Sequence, residues 1–270
     1  MKIINKELEI LKKNIENNFT DPLHNELKNF LLNGSKFIRS TLAILYLKSQ
    51  NVEINNSVYN ILTAGEIIHN ASLLHDDVID NANTRRGNTT IAKKFTSNIS
   101  ILAGDYLLSH AIEKLLELNN FEILNIFKNC TKKMSVAEIK QYFSQNSIPT
   151  KEQYIEICKN KTAELFSTIL ESCSLITNLE PQKAKDFGTL FGICFQINND
   201  LNKESAKIDK LNGIYTAKDV LGIENTELLL DNYKKEMGNL IKSFPENIYK
   251  ESLKDLINSL WLIKNNLKLI

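Results

Sequence analysis

The sequence predicts an all-α fold, a single-domain bundle of roughly ten helices, and three observations carry that expectation. Nine glycines and four prolines are few for 270 residues, and these are the residues that break helices and build the turns sheet folds need. Apolar residues recur every three or four positions through most of the chain, the spacing of a buried helical stripe. No stretch has the composition of a linker, so residues 1–270 read as one domain.

Taken in order, the apolar spacing predicts helices over Ile3 to Ile15, then near 36 to 50, 56 to 80 and 98 to 145. Further helices are expected at about 151 to 177, 183 to 204, 226 to 243 and 246 to 268, with Pro149, Pro181 and Pro245 close to boundaries. The strongest breaks are the short polar runs Asn81 to Asn88 and Lys207 to Gly213. No internal repeat or sustained heptad is present, which favours a bundle over a solenoid or coiled coil.

A formal net charge of +1 supplies no global field for nucleic acid or an anionic membrane, so nucleic acid is not expected as a partner. Cys130, Cys158, Cys173 and Cys194 are widely spaced, form no CxxC pair and sit in apolar helical patterns, as small buried hydrophobes do. They fit a reducing, cytoplasmic setting. The amphipathic N-terminus and the absence of a long uncharged apolar run predict neither secretion nor a membrane span.

Of 33 basic residues only Arg39, Arg85 and Arg86 are arginine. In a chain that otherwise uses lysine, these positions are expected to need the planar guanidinium fork, which matches phosphate oxygens. Two of them follow the segment AGEIIHNASLLHDDVIDNANTRRG, where an apolar helix ends in Asp76, Asp77 and Asp80. Asp76 and Asp80 are four residues apart and share a helical face, where their carboxylates repel unless a hard cation joins them. Magnesium accepts one or two carboxylates together with substrate phosphate oxygens, so the pattern implies Mg2+ and a diphosphate. A solvated acidic helix end is the competing explanation of such a cluster; the adjoining arginines count against it. His69 lies two turns before Asp76 on the same face, where a hydrogen-bonded core histidine is the alternative.

HDDVID followed by RRG resembles the first aspartate-rich motif of the trans-polyprenyl diphosphate synthase family. The resemblance extends to GSKFIR at 34–39, LAGDYLL at 102–108, KTAELF at 161–166 and FQI at 195–197. It implies an isoprenoid synthase-like fold with helices around a central substrate cavity. The implied activity is condensation of isopentenyl diphosphate with an allylic diphosphate, giving a linear all-trans polyprenyl diphosphate, and the implied assembly is a homodimer. Carried over, Lys36, Arg39, His69 and Arg86 bind isopentenyl diphosphate. Arg85, Lys161, Thr162 and Gln196 hold the allylic diphosphate and act in its ionisation. Asp76, Asp77, Asp80 and Asp200 are the implied metal ligands.

The second aspartate-rich motif departs from the family pattern. The sequence there is FQINNDLNK, with Asn199 and Lys203 where aspartates are expected, leaving Asp200. Asparagine brings no charge to a metal and a protonated lysine cannot ligate one. Two expectations follow: an active enzyme in which Lys203 replaces part of the metal charge, or a weak or inactive regulatory subunit of a heteromeric synthase. Ala71 and Ser72, one turn before the first aspartate, are small where the family stops chain growth with bulk, which implies a product longer than farnesyl, a quinone side-chain precursor of hexaprenyl to octaprenyl length. Tyr106 and His110 are candidates for a deeper floor. A terpene cyclase has no need of the second diphosphate set Lys36, Arg39 and His69, and a histidine-aspartate phosphohydrolase needs more histidines than His24, His69 and His110 supply.

Overall fold

Polar side chains start the helices and aromatic and aliphatic ones pack them, in a computed structural model that describes residues 2–17, 25–201 and 213–260. The chain divides into two compact units, Met1–Ile44 with Ile54–Leu124, and Leu45–Glu53 with Asn125–Ile270.

The first unit carries α1 (Asn5–Asn17), α2 (Asn25–Leu32), most of α3 (Ile38–Lys48), α4 (Asn56–Ile79), α5 (Ile91–Lys94) and α6 (Ser97–Leu116). Helix α4 begins where the Asn55 side chain accepts the Val58 N–H and runs 24 residues, because nothing in it breaks a helix except Gly65, which is buried. It buries Ile61, Leu62, Ile67, Ala71 and Leu74 and packs along α6, which buries Gly104, Leu107, Ala111 and Leu115. The Ser100 hydroxyl donates to the Leu74 carbonyl over 2.9 Å. Gly104 leaves room for the His75 ring, since a Cβ there would sit 2.2 Å from His75 Nε2. The polar break at 81–88 contains a feature the sequence pattern did not predict. Strands β1 (Thr84–Arg85) and β2 (Asn88–Thr89) pair antiparallel around a two-residue loop, Arg86 and Gly87, with φ of 51° and 79°. Positive φ at both loop residues is the hairpin turn whose twist matches its strands.

The second unit carries α7 (Phe121–Phe143) from Asn125 onward, α8 (Lys151–Ile157), a π-helical turn (Cys158–Ala163), α9 (Glu164–Ile176) and α10 (Pro181–Asp200). It continues with α11 (Ala217–Leu221), α12 (Ile223–Ile241) and α13 (Ile248–Ser259). The stretch expected as one helical pattern over 98–145 is two helices, because Asn119 adopts φ 49° and Asn120 caps the second by accepting from Ile123 N. Helix α10 starts two residues before the expected 183 because Pro181 occupies its first turn. The last helix is described to Ser259, and the expected extension to 268 lies outside the described residues.

Two small residues set how closely α10 packs. A Cβ on Gly188 would lie 2.7 Å from the Ser167 Cα, and one on Gly192 would lie 2.4 Å from the Ala163 Cα. Phe166 fills the space beside them, its ring 5.4 Å from Phe191 and 5.5 Å from Phe195. Tyr46 packs on Phe187 and Phe244, each at 5.2 Å between centroids. All four cysteines are buried and free, as their apolar setting predicted. No helix among the described residues is long and apolar enough to cross a membrane.

Because the atom opposing Gly192 is backbone, Gly192→Ala must push α10 off the π turn. The expected cost is about 1–3 kcal/mol of unfolding free energy, the range for overpacking a tight contact, read as a lower urea midpoint at unchanged slope.

Candidate active site

In the first unit the sequence-predicted residues gather at the C-terminal end of α4. The Asp80 N–H donates to the Asp76 carbonyl over 2.8 Å, so the α-helical turn persists to Asp80 and stacks the two carboxylates on one face. Both side chains are half-buried. Asp77, between them in sequence, has a more enclosed setting. It is fully buried, and its Oδ1 accepts from Arg85 Nε over 2.6 Å. Burial raises the Asp77 pKa, and the Arg85 charge and hydrogen bond oppose that rise. Its Oδ2 is buried without a hydrogen-bond partner. An ion pair inside the protein, about 100° round the helix from the stacked pair, makes Asp77 the anchor of Arg85.

Arg86 is fixed by the turn that carries it. Its Nη1 donates to the Ser35 hydroxyl over 2.6 Å and to the Phe30 carbonyl and Asn70 Oδ1 over 3.3 Å each. Its stem lies on Gly34, where a Cβ would come within 3.1 Å of the Arg86 Cβ and where φ is +69°. Gly34 thus meets two needs at once, a left-handed turn and a surface flat enough for the arginine. Two residues on, Lys36 is exposed, and Arg39 is buried in the first turn of α3.

His69 joins these groups electrostatically. Burial first, then the charges of Arg39, Arg86 and Arg85, push its pKa well below the ordinary histidine range. All three arginines of the chain therefore bear on one imidazole, which is neutral at physiological pH. A partner the sequence reading missed is Glu66, buried one turn before Asn70, accepting from the Ser40 hydroxyl over 2.6 Å and from the Ser40 N–H over 3.3 Å. Burial raises its pKa while Ser40, Arg39 and Arg86 hold it down. An acid inside the apolar run TAGEIIHNASLL was the signal that could have marked it.

In the second unit Lys161 and Thr162 lie in the π turn. There the Glu164 N–H bonds the Lys159 carbonyl, five residues back. Such turns are rare and recur at functional sites. Lys161 Nζ lies 2.6 Å from Glu138 Oε2 and donates to Gln141 Oε1 over 2.9 Å. Thr162, buried, donates to Gln196 Oε1 over 2.7 Å, and Gln196 Nε2 donates to Asp200 Oδ1 over 2.7 Å. Asp200 is held by three protein donors. It is buried, and Oδ2 accepts from the Tyr154 hydroxyl over 2.5 Å and from the Ala217 N–H over 3.2 Å. Asn199 beside it is half-buried, and Lys203 lies outside the described residues.

Among the described residues no group of three or more His, Cys, Asp and Glu side chains is placed to hold a metal by itself. Asp76 and Asp80 offer hard oxygen donors in a stacked pair, which fits a cation that completes its shell with water and ligand oxygens, as magnesium does.

Residues 20–247 match the sequence model of the Polyprenyl synthetase family. The chain belongs to that family. Octaprenyl diphosphate synthase of Haemophilus influenzae is 32% identical over 195 residues, 70% of this chain and 59% of that protein. Octaprenyl diphosphate synthase of Escherichia coli is 30% identical over 194 residues, 70% of this chain and 60% of that protein. The chain thus spans less than two thirds of the length of these relatives. The crystal structure of heptaprenyl diphosphate synthase from Staphylococcus aureus superposes with a TM-score of 0.86 at 22% identity, over 95% of this chain and 97% of that one. The fold of this family member is accordingly all-α, as the sequence predicted.

The setting of His69 has a stability consequence whose sign is fixed. Its folded pKa is depressed, so its contribution is complete above the unfolded value of about 6.5 and declines as pH falls below it. His69→Gln should flatten the acid limb of the stability curve between pH 6.5 and 5 by up to about 1.4 kcal/mol per pH unit, as measured by urea unfolding across that range.

Proposed function

We propose that this chain is a trans-prenyltransferase, a single synthase domain over 1–270 that condenses isopentenyl diphosphate with an allylic diphosphate to give a linear all-trans polyprenyl diphosphate. One observation carries the reading: α4 ends in the stacked pair Asp76 and Asp80, and Arg85 and Arg86 follow at once in a hairpin, their guanidinium groups held by Asp77 and by Ser35, Phe30 and Asn70. Concentrated guanidinium charge of this kind is stabilised by a polyanion, and two adjacent phosphates supply both the charge and the acceptor geometry.

Lys36, Arg39, His69 and Arg86 bind isopentenyl diphosphate, with Arg86 held in place by Ser35, Phe30 and Asn70. Arg85, Lys161, Thr162 and Gln196 bind the allylic diphosphate. The Asp77 ion pair aims Arg85, and Glu138 with Gln141 fixes the Lys161 ammonium. Because these cations are already ordered, little reorganisation opposes the charge that develops on the departing diphosphate. Asp76 and Asp80 hold magnesium, and Asp77 and Asp200 act within the protein instead. Bound magnesium supplies Lewis-acid stabilisation of the leaving oxygens.

Ala71 is fully buried and Ser72 turns its hydroxyl back to the His69 carbonyl over 2.8 Å, so neither adds bulk one turn before Asp76. This supports a product longer than farnesyl, and the octaprenyl products named for the relatives agree in class. A cytoplasmic homodimer completes the reading.

Purified protein incubated with Mg2+, isopentenyl diphosphate and farnesyl diphosphate should give a ladder of products ending at one length by mass spectrometry. Asp76→Ala with Asp80→Ala should lower kcat by about 100- to 1000-fold, the usual loss on removing charge stabilisation from a transition state. Arg86→Lys should mainly raise KM for isopentenyl diphosphate. A wild-type protein that elongates neither farnesyl, geranyl nor dimethylallyl diphosphate would refute the assignment in favour of a regulatory subunit.

A further inference from the structure

In the second unit one hydrogen-bond chain runs without a gap from the π turn through α10 to α8. Its members are Thr162, Gln196, Asp200 and Tyr154, at 2.7, 2.7 and 2.5 Å from donor to acceptor, with the Ala217 N–H joining at Asp200. Thr162, Asp200 and Tyr154 are buried, which removes water as an alternative partner.

The chemistry of each member fixes its direction. An ionised carboxylate only accepts, so Asp200 must meet the amino end of the Gln196 carboxamide. That turns the carbonyl end toward Thr162, whose hydroxyl proton is then committed to Gln196. Rotating the carboxamide by half a turn would set a carbonyl against a carboxylate and leave two buried acceptors facing each other. Asp200 holds this orientation only while its own position is fixed, and the Tyr154 hydroxyl and the Ala217 N–H are the groups that fix it. A phenol is protonated at neutral pH, so the Tyr154 hydroxyl is the donor of this pair. With Gln196 on Oδ1 and with Tyr154 and Ala217 on Oδ2, both oxygens of the one aspartate left in the second acidic motif have protein donors.

We infer that Tyr154 is a positioning residue for the allylic diphosphate: through Asp200, which serves as an internal acceptor and not as a metal ligand, it sets the orientation of Gln196 and Thr162. The inference rests on the assignment of Lys161, Thr162 and Gln196 to that substrate.

The test compares wild type, Tyr154→Phe and Asp200→Asn, the first losing one hydroxyl and the second keeping its shape while losing its charge. Binding of the non-reacting analogue farnesyl thiodiphosphate is measured by calorimetry with Mn2+ present, Mn2+ binding by electron paramagnetic resonance, and both KM values by steady-state kinetics. Both variants should bind the analogue about tenfold more weakly, the loss of one charge-assisted hydrogen bond. KM for isopentenyl diphosphate and the number and affinity of Mn2+ ions should stay within twofold. Loss of a Mn2+ ion in Asp200→Asn with Tyr154→Phe unchanged would overturn the inference in favour of metal ligation. Parallel weakening toward both substrates with a lowered Tm would overturn it in favour of general structural damage. Analogue binding in a wild-type protein that fails to elongate would sink the assigned activity while leaving the binding comparison to decide the role of Tyr154. Absence of analogue binding in wild type would overturn both.

Discussion

The first unit is organised around buried charge: Arg85 is bonded to the fully buried Asp77, and Arg86 is held by Ser35, Phe30 and Asn70. Arg86 is held below the usual arginine range by burial and then by Arg85, and His69 is kept neutral by burial and all three arginines. The counterweights are buried acids within the protein: Asp77 bonds Arg85 directly, and Glu66 opposes both Arg39 and Arg86. Each acid carries its own desolvation penalty, so the cluster exchanges one electrostatic cost for another.

The second unit solves a different problem, orienting neutral and singly charged groups with few charges to spare. Close approach of α10, possible because Gly188 and Gly192 lack side chains, brings its backbone onto Ser167 and Ala163. That proximity puts Gln196 within reach of Thr162, and Asp200 within reach of Tyr154. Packing distance and hydrogen-bond direction are therefore one constraint here, since a slightly wider spacing would break the chain at its first link.

Much of this was legible in the sequence because helix signals are local. The expected helix starts at 56 and 151 match the structure, where Asn55 and Thr150 cap those helices, and Pro181 sits at the start of α10. The rarity of arginine marked Arg39, Arg85 and Arg86 as candidate phosphate ligands, and all three fall in the first unit. Other features were hidden for physical reasons. The hairpin at 84–89 is too short to show an alternating pattern, and its turn is set by φ values that Arg86 gives no hint of adopting. Asp77 looks like its neighbours in sequence, and only burial separates it from Asp76 and Asp80. Tyr154 in an apolar helix reads as an ordinary core aromatic, since its partner lies 46 residues away.

The π turn at Cys158–Ala163 makes chain length itself a determinant at this place. A π turn is equivalent to one residue inserted into an α-helix, and each residue advances the helix by about 100°. Deleting a single codon between Cys158 and Ala163 would remove the wide turn and restore a regular helix, shifting the residues within the turn, Thr162 among them, relative to the flanking helix. Tyr154 and Thr162 would then no longer address the same side chains of α10, although no residue of the network had been replaced. Within this otherwise continuous helix, the family member is therefore more exposed to gain or loss of a residue than to most changes of identity.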